Sequence, residues 1–274
     1  MSEKILFFYR FMQTNLVGVA ILIMTWLYDS HIHLSDPEYQ EDLQQILNAT
    51  ELLKLKACCV SMDFETSVNT MTLSEKSQNI LPFIGVHPEM AHKDVTKVFD
   101  MIKEKNKKII GIGEIGLDKT YVNSDQDWSN QKKVFSDQLS FAEKLRKPVS
   151  IHSRKTLDEI FEILTSFNIK GVLLHWFDGN KNQLKKAMDL GFYTSYGPVL
   201  LYAQDKQVLL SKTDHDKILV ETDGPVKFSH CFNYKTTQIH FLPSVVFSAS
   251  KFLNMSYNEL LSKLEENSKK FLNL

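Results

Sequence analysis

Cysteine is scarce in this chain. Cys58, Cys59 and Cys231 are the three present; they form no C-x-x-C pair and cannot all be bridged. A disulfide scaffold is therefore excluded, and a reduced, cytoplasmic setting is expected. An excess of either charge is also missing, since 32 basic residues face 33 acidic ones for a formal net charge of −1. That balance excludes a histone-like or polybasic nucleic-acid binder, so any nucleic-acid contact must be local to a site. Long apolar runs are absent too. Residues 16–24, behind Lys4 and Arg10, are too short to span a bilayer, so no stable membrane association is expected. They have the outline of a signal peptide, but no small-x-small cleavage site follows. Residues 25–29 already read as a core strand. Residues 1–23 are thus expected to be an N-terminal extension: first a start-site over-read ahead of Met24, then an extra packed helix, and last a cleaved signal. No internal repeat, low-complexity tract or linker appears, so residues 24–274 are expected to form one domain.

What is present is an alternation. The chain has 274 residues, 43% hydrophobic and 24% charged, which suits one α/β barrel or one large doubly wound sheet. Short apolar runs predict strands at 25–30, 55–61, 81–87, 109–114, 148–152, 171–175, 192–196 and 217–222. Continuous runs such as Gly171-Val172-Leu173-Leu174 suit strands buried on both faces of a parallel sheet. Helical stripes lie between them. Ser35-Asp36-Pro37-Glu38 offers a capping box ahead of Leu43, Ile46 and Leu47. Further stripes run through Val95–Ile102, Phe135–Leu145, Ile160–Phe167 and Leu184–Met188, and two helices are expected at 242–253 and 257–272. The span from Tyr196 to Lys217 has the weakest helical period. Eight strands, each followed by a loop and usually a helix, predict a (β/α)₈ TIM barrel.

The polar residues fall in one place along that pattern. Of nine histidines, five sit at or just beyond predicted strand ends: His31, His33, His87, His152 and His175. Glu114 ends the fourth strand and Asp223 follows the eighth. In a parallel barrel those ends converge on one rim, where active sites are built. Burying so many ionisable groups without a compensating charge is costly, and divalent cations supply that charge. His31 and His33 are at i and i+2 on an extended segment, so both point to one side and can grip one ion. Glu114 has two oxygens and can bridge two ions. His152 and His175, from neighbouring strands, can hold the second. Asp223 enters beside the first ion. Two cations so placed stabilise attacking and leaving oxygens together. The mixed imidazole and carboxylate set suits Zn, Mn or Co.

With those residues in place, the chain resembles the TatD family of metal-dependent deoxyribonucleases, a branch of the amidohydrolase-type barrels. The resemblance rests on DSHIHL at 29–34, GVHP at 85–88, GEIGLD at 113–118, PVSIHSR at 148–154, GVLLHWFDG at 171–179 and LVETDGP at 219–225. Gln131, Phe135, Gln138, Leu139 and Ala142 resemble the family's helix between the fourth and fifth strands, and Asn267 with Phe271 resembles its C-terminal pattern. The resemblance implies a phosphodiesterase acting on DNA, on single strands or 3′ ends, as a 3′-end exonuclease or weaker endonuclease. It implies that His31, His33, Glu114 and Asp223 bind one ion and that Glu114, His152 and His175 bind the other, with Mg also allowed. Asp223 would take a proton from the attacking water. His87 would donate to the phosphate oxygens or the leaving group, or else orient the loop before Pro88. Glu221, two residues ahead of Asp223, either faces the same pocket as a catalytic group or supports a ligand from behind.

Three departures stand out. Trp176-Phe177-Asp178 replaces a smaller, less acidic stretch; Asp178 is expected to cap the next helix rather than repel phosphate or join the metal shell. Gly197-Pro198 is a variant ending for the seventh strand, and no clear Arg-Asn-Xaa-Pro pattern occurs near 235–238. Arg154 either clamps a phosphate or pairs with Asp158 one turn on. Cys58 and Cys59 read as packed thiols, and His92, His215, His230 and His240 as surface or loop residues. The basic run 105–108 reads as a solvated helix end.

The alternative on the same barrel is an amide, lactone or small phosphoester hydrolase. Related barrels of that kind commonly bridge their metals with a carbamylated lysine, whereas Glu114 stands here and Lys119 falls beyond the strand. A non-catalytic scaffold would show decay among the six ligand positions, and none is missing.

Overall fold

The computed structural model of the protein describes residues 25–274; the expectation for residues 1–23 lies outside them. Eight parallel strands alternate with helices: β1 Leu27–Ile32, β2 Leu55–Val60, β3 Ile80–Phe83, β4 Ile112–Asp118, β5 Val149–Arg154, β6 Val172–Leu174, β7 Tyr193–Tyr196 and β8 Ile218–Val220. The helices are α1 Leu43–Leu52, α2 Phe64–Lys76, α3 Thr96–Glu104, α4 Asp125–Leu145, α5 Leu157–Leu164, α6 Lys181–Asp189, α7 Gln204–Leu210, α8 Leu242–Phe252 and α9 Tyr257–Leu272. Strands pair in chain order, β1 to β3 and β4 to β8. The two groups join where Phe83 bridges Gly111 and Gly113 N–H donates to the Ile84 carbonyl at 3.2 Å. They close where Ser30 Oγ donates to the Val220 carbonyl at 2.9 Å and Asp223 N–H to the His31 carbonyl at 3.0 Å. The ring is the expected (β/α)₈ barrel.

Strand parity sorts the core into two parts, because successive side chains point to opposite faces. Cys58, Val60, Leu81, Phe83, Leu173, Tyr193 and Leu219 form one buried cluster with Phe271 and Leu272 of α9. The last turn of α9 reaches the start of β6, where a side chain on Gly171 would collide with the Phe271 carbonyl. It thus plugs the amino-terminal end of the barrel. The other parity, including Ala57, Cys59, Ile112, Val149, Ile151, Val172 and Leu174, packs against the helices through Ile46, Val98, Ile102, Phe135, Leu139, Ile160 and Leu184. Cys58 and Cys59 are buried free thiols, one in each cluster.

Several boundaries differ from the sequence reading. Asp36 caps only a short 3₁₀ turn, Pro37–Tyr39, because the buried Tyr39 hydroxyl anchors on the Thr237 carbonyl; α1 starts later, at Leu43. Helix α2, whose apolar stripe is weak, was not legible from periodicity, although its capping box is explicit: Asp63 accepts from Thr66 N–H, and Thr66 Oγ1 accepts from Asp63 N–H. The Tyr196–Lys217 span folds as a 3₁₀ turn, Pro198–Leu201, and the short α7. Strand β3 stops at Phe83 instead of His87, because Val86 N–H and C=O turn to the Gln138 side-chain amide and His87 N–H to the Met62 carbonyl. Strand β4 runs four residues beyond Glu114, to Asp118.

Candidate metal centre

Two strand pairs break register, β1/β2 between Asp29 and Ile32 and β4/β5 between Ile112 and Ile115. Such irregularities re-aim side chains near active sites, and here they fall at His31 and at Glu114. His31 is fully buried, as are Glu114, His175 and Asp223, while His33 and His152 are half-buried. His31 Nε2 lies 3.2 Å from His33 Nε2 and 3.6 Å from both Glu114 Oε2 and Asp223 Oδ1. His33 Nε2 lies 3.3 Å from Glu114 Oε2 and 3.6 Å from Asp223 Oδ1. The edge of a tetrahedron with ligands ~2.1 Å from its centre is about 3.4 Å. The donor separations therefore fit one small divalent cation.

The other oxygen of Glu114 belongs to a second group. Oε1 lies 2.8 Å from His152 Nδ1, 2.8 Å from His175 Nε2 and 3.7 Å from His87 Nε2. His175 stacks on His31, ring centroids 3.7 Å apart at 7°, which brings the two groups side by side. His87 sits at the head of a 3₁₀ turn, where its Nδ1 accepts from Glu89 N–H at 3.2 Å. It thus caps the turn that starts at Pro88, and the same bond leaves the ring proton on Nε2, which points into the cleft.

Burial and mutual charge pull these groups in opposite directions. Burial alone would raise the Glu114 carboxyl, but the imidazoles of His87, His175 and His152 hold it well below its ordinary range. Burial holds His31 well below and His87 at about 4. Burial also pushes Asp223 up to about 7, against the pull of His175 and His33. Despite its burial, His175 is raised well above its ordinary value by Glu114 and Glu221. A pocket holding this many mutually perturbed N and O donors fits divalent cations, whose charge would satisfy them together.

Around these donors lies a ring of supports. Asp118 Oδ2 is 2.9 Å from His152 Nε2, and Ser150 Oγ is 2.7 Å from His31 Nδ1. Buried Asp29 accepts from the backbone N–H groups of His31 and Thr222, which ties β1 to the Asp223 segment. Glu221 is fully enclosed: Oε1 accepts from Trp176 N–H at 2.7 Å, Oε2 accepts from Ser195 Oγ at 2.5 Å, and Oε1 lies 3.8 Å from His175 Nδ1. It stands behind His175 and does not line the cleft above the donors, a placement that suits the supporting alternative for this residue rather than the pocket-facing one. Asp118 and Ser150 were missed. Asp118 had a signal, since it is four residues beyond Glu114 and even spacing on a strand shares a face. Ser150 had none.

The cleft above the donors has a volume of about 480 Å³ and is lined among others by Met62, Tyr121, Ser153, Arg154, Trp176, Asp178 and Val226. Arg154 opens to this cleft. Asn180, not Asp178, caps α6, accepting from the N–H groups of Asn182 and Gln183; the Asp178 carboxylate instead pairs with Lys206. His92, His215, His230 and His240 are exposed, as expected. Among the described residues no helix is long and apolar enough to cross a membrane.

The family model of TatD-related DNases matches residues 28–273. The chain belongs to that family. It is 26% identical over 257 residues to an uncharacterized metal-dependent hydrolase, YabD, of Bacillus subtilis, covering 90% of this chain and 99% of that protein. It is 29% identical over 216 residues to the human deoxyribonuclease TATDN3, covering 73% and 78%. The crystal structure of YjjV, a TatD homologue of Escherichia coli, superposes with a TM-score of 0.82 at 22% identity, covering 90% and 98%, and shows the same fold. This TatD-family barrel is a metal-dependent hydrolase, and its His, Glu and Asp clusters can hold metal. Near 235–238, Thr236 Oγ1 donates to the Glu38 carboxylate and the Thr237 carbonyl accepts from the Tyr39 hydroxyl.

Proposed function

We propose that this protein hydrolyses phosphodiester bonds of DNA, acting on single strands or 3′ ends as a 3′-end exonuclease with two divalent ions. The observation that carries this reading is the division of Glu114, whose Oε2 faces His31 and His33 while Oε1 faces His152 and His175. His31, His33, Glu114 and Asp223 would hold one ion; Glu114, His152 and His175 would hold the other. When bound, such cations supply Lewis-acid neutralisation of phosphate charge and make water acidic enough to react near neutral pH. The attacking water forms the new P–O bond as Asp223 accepts its proton, the P–O3′ bond breaks, and the departing 3′ oxygen of the shortened strand takes up a proton from solvent water. His87 Nε2–H donates to a nonbridging phosphate oxygen, a role its Glu89 bond prepares. Arg154, whose planar fork matches phosphate, draws the backbone into the cleft. Glu221 and Asp118 act as positioning residues on His175 and His152. A concave cleft of about 480 Å³ favours a strand end over a stacked duplex, whose interior must be unstacked to enter such a pocket. The free thiols of Cys58, Cys59 and Cys231 support a cytoplasmic setting.

The test is degradation of 3′-labelled single-stranded DNA by EDTA-stripped protein resupplied separately with Mg, Mn and Zn, beside Glu114→Gln. Metal-restored cleavage is expected, with a loss of roughly 10³-fold in the variant. Metal binding without DNA cleavage, together with turnover of an amide, lactone or phosphomonoester, would replace this reading with the small-substrate one.

A further inference from the structure

Trp176 lines two adjoining concavities: the cleft that holds the metal-site residues, and a narrow crevice walled by Phe177, Tyr196, Leu200 and Phe228 that shares Asp223 with it. The indole is only partly buried, yet its placement is tightly held. Its backbone has φ +40°, a left-handed conformation that a bulky residue adopts only where the surroundings impose it. Its N–H donates to Glu221 Oε1 at 2.7 Å, so the carboxylate behind His175 also anchors the next residue. The ring is braced from behind by a row of aromatics: Phe228 at 5.3 Å between centroids, then Phe232 at 5.9 Å, then Phe241 at 5.4 Å. Beyond the end of β4, Tyr121 is 38% exposed and edge-on to His87. Strand order β4-β5-β6 places Trp176 and Tyr121 on either side of the β5 end, which carries His152 and Arg154.

With a net charge of −1, this chain has no overall basic excess to supply the sequence-independent nucleic-acid affinity that phosphate neutralisation usually gives. Aromatic stacking is the other source, and it tolerates any base because every base has a π-face. We propose that Trp176 is the stacking platform for the nucleobase of the nucleotide being removed. This rests on the DNA-hydrolysis reading and adds to it a recognition element: the site reads the base of the strand end as well as its phosphate. The rigid backbone and aromatic backing mean that the platform is in place before substrate arrives.

The test compares kcat/KM for a single-stranded oligonucleotide ending in a normal nucleotide with that for one ending in an abasic sugar phosphate. The ratio is expected to be roughly 5- to 100-fold in the native protein, near one in Trp176→Ala, and largely kept in Trp176→Phe. An equal loss on both substrates in Trp176→Ala would overturn the proposal, since a merely structural ring does not distinguish them. Binding gives an independent readout without turnover. Deoxyadenosine monophosphate should quench the tryptophan fluorescence of the metal-loaded protein, and deoxyribose 5-phosphate should not. Trp176→Phe, which leaves Trp26 and Trp128, should abolish the quench. Should the oligonucleotide resist cleavage altogether, the DNA-hydrolysis reading fails, and quenching still decides the platform: present and lost in Trp176→Phe upholds it, absent overturns it.

Discussion

Replacing Asp118 by Asn changes one oxygen into an NH₂ and almost nothing else, yet it should disarm one half of the metal centre. Asp118 is fully buried and its two oxygens have separate tasks: Oδ1 accepts from Thr120 N–H at 2.7 Å, and Oδ2 lies 2.9 Å from His152 Nε2. In Asp118→Asn the fixed Thr120 N–H retains the amide oxygen, so the NH₂ group faces His152. An amide NH₂ can only donate, and His152 Nε2 must then accept, which moves the ring proton to Nδ1. Nδ1 is the atom 2.8 Å from Glu114 Oε1, the one that must present a lone pair to a cation. Loss of such a supporting partner typically costs 10- to 100-fold in metal affinity or activity, about 1.4–2.7 kcal/mol. Thermal stability should move little, since the Thr120 bond survives. The assay is a metal titration of activity, with calorimetry of metal binding to the EDTA-stripped variant and native protein. One of the two binding events should weaken by that factor while the other holds. A variant that binds both equivalents as tightly as the native protein and cleaves at the native rate would refute the assignment of His152 as a ligand oriented by Asp118.

His87→Ala removes the Nε2–H donor and should lower kcat by roughly 10²-fold with little change in KM, measured by steady-state kinetics; a pure KM effect would mean a loop-orienting role alone. Gly116 has φ +147° and lies against the His152 carbonyl, so Gly116→Ala should destabilise the fold by about 2–6 kcal/mol in urea unfolding through backbone strain and overpacking. Buried Asn267 donates to the carbonyls of His215 and Ile218 at 2.7 and 2.9 Å; Asn267→Ala leaves both unsatisfied and should cost about 2–3 kcal/mol by the same assay, with the metal titration unchanged.

How much was legible before the fold was known follows from what each signal depends on. Strands buried on both faces announce themselves as short apolar runs, so all eight were located, with ends misplaced by up to four residues. Those ends depend on hydrogen bonds to distant partners, as Gln138 shows by drawing Val86 out of β3. Helix α2 escaped because its burial is carried by Ser67, Thr70, Met71 and Leu73, a half-polar face that periodicity of apolar residues does not register. Asp178 read locally as a cap, but Lys206, 28 positions away, took the carboxylate, and Asn180 did the capping with its own side chain.

The sequence by itself determined the barrel and the identity of the seven rim donors, because a parallel α/β order forces every strand end to one rim and residue type alone limits which side chains can ligate a cation. Only the tertiary structure decided how those donors divide. The register breaks in β1 and β4 turn His31 and Glu114 inward, the two oxygens of Glu114 face different imidazoles, Glu221 withdraws behind His175, and Trp176 is pinned at the mouth. These outcomes are set by contacts between residues tens to hundreds of positions apart, and no local pattern in the chain carries that information.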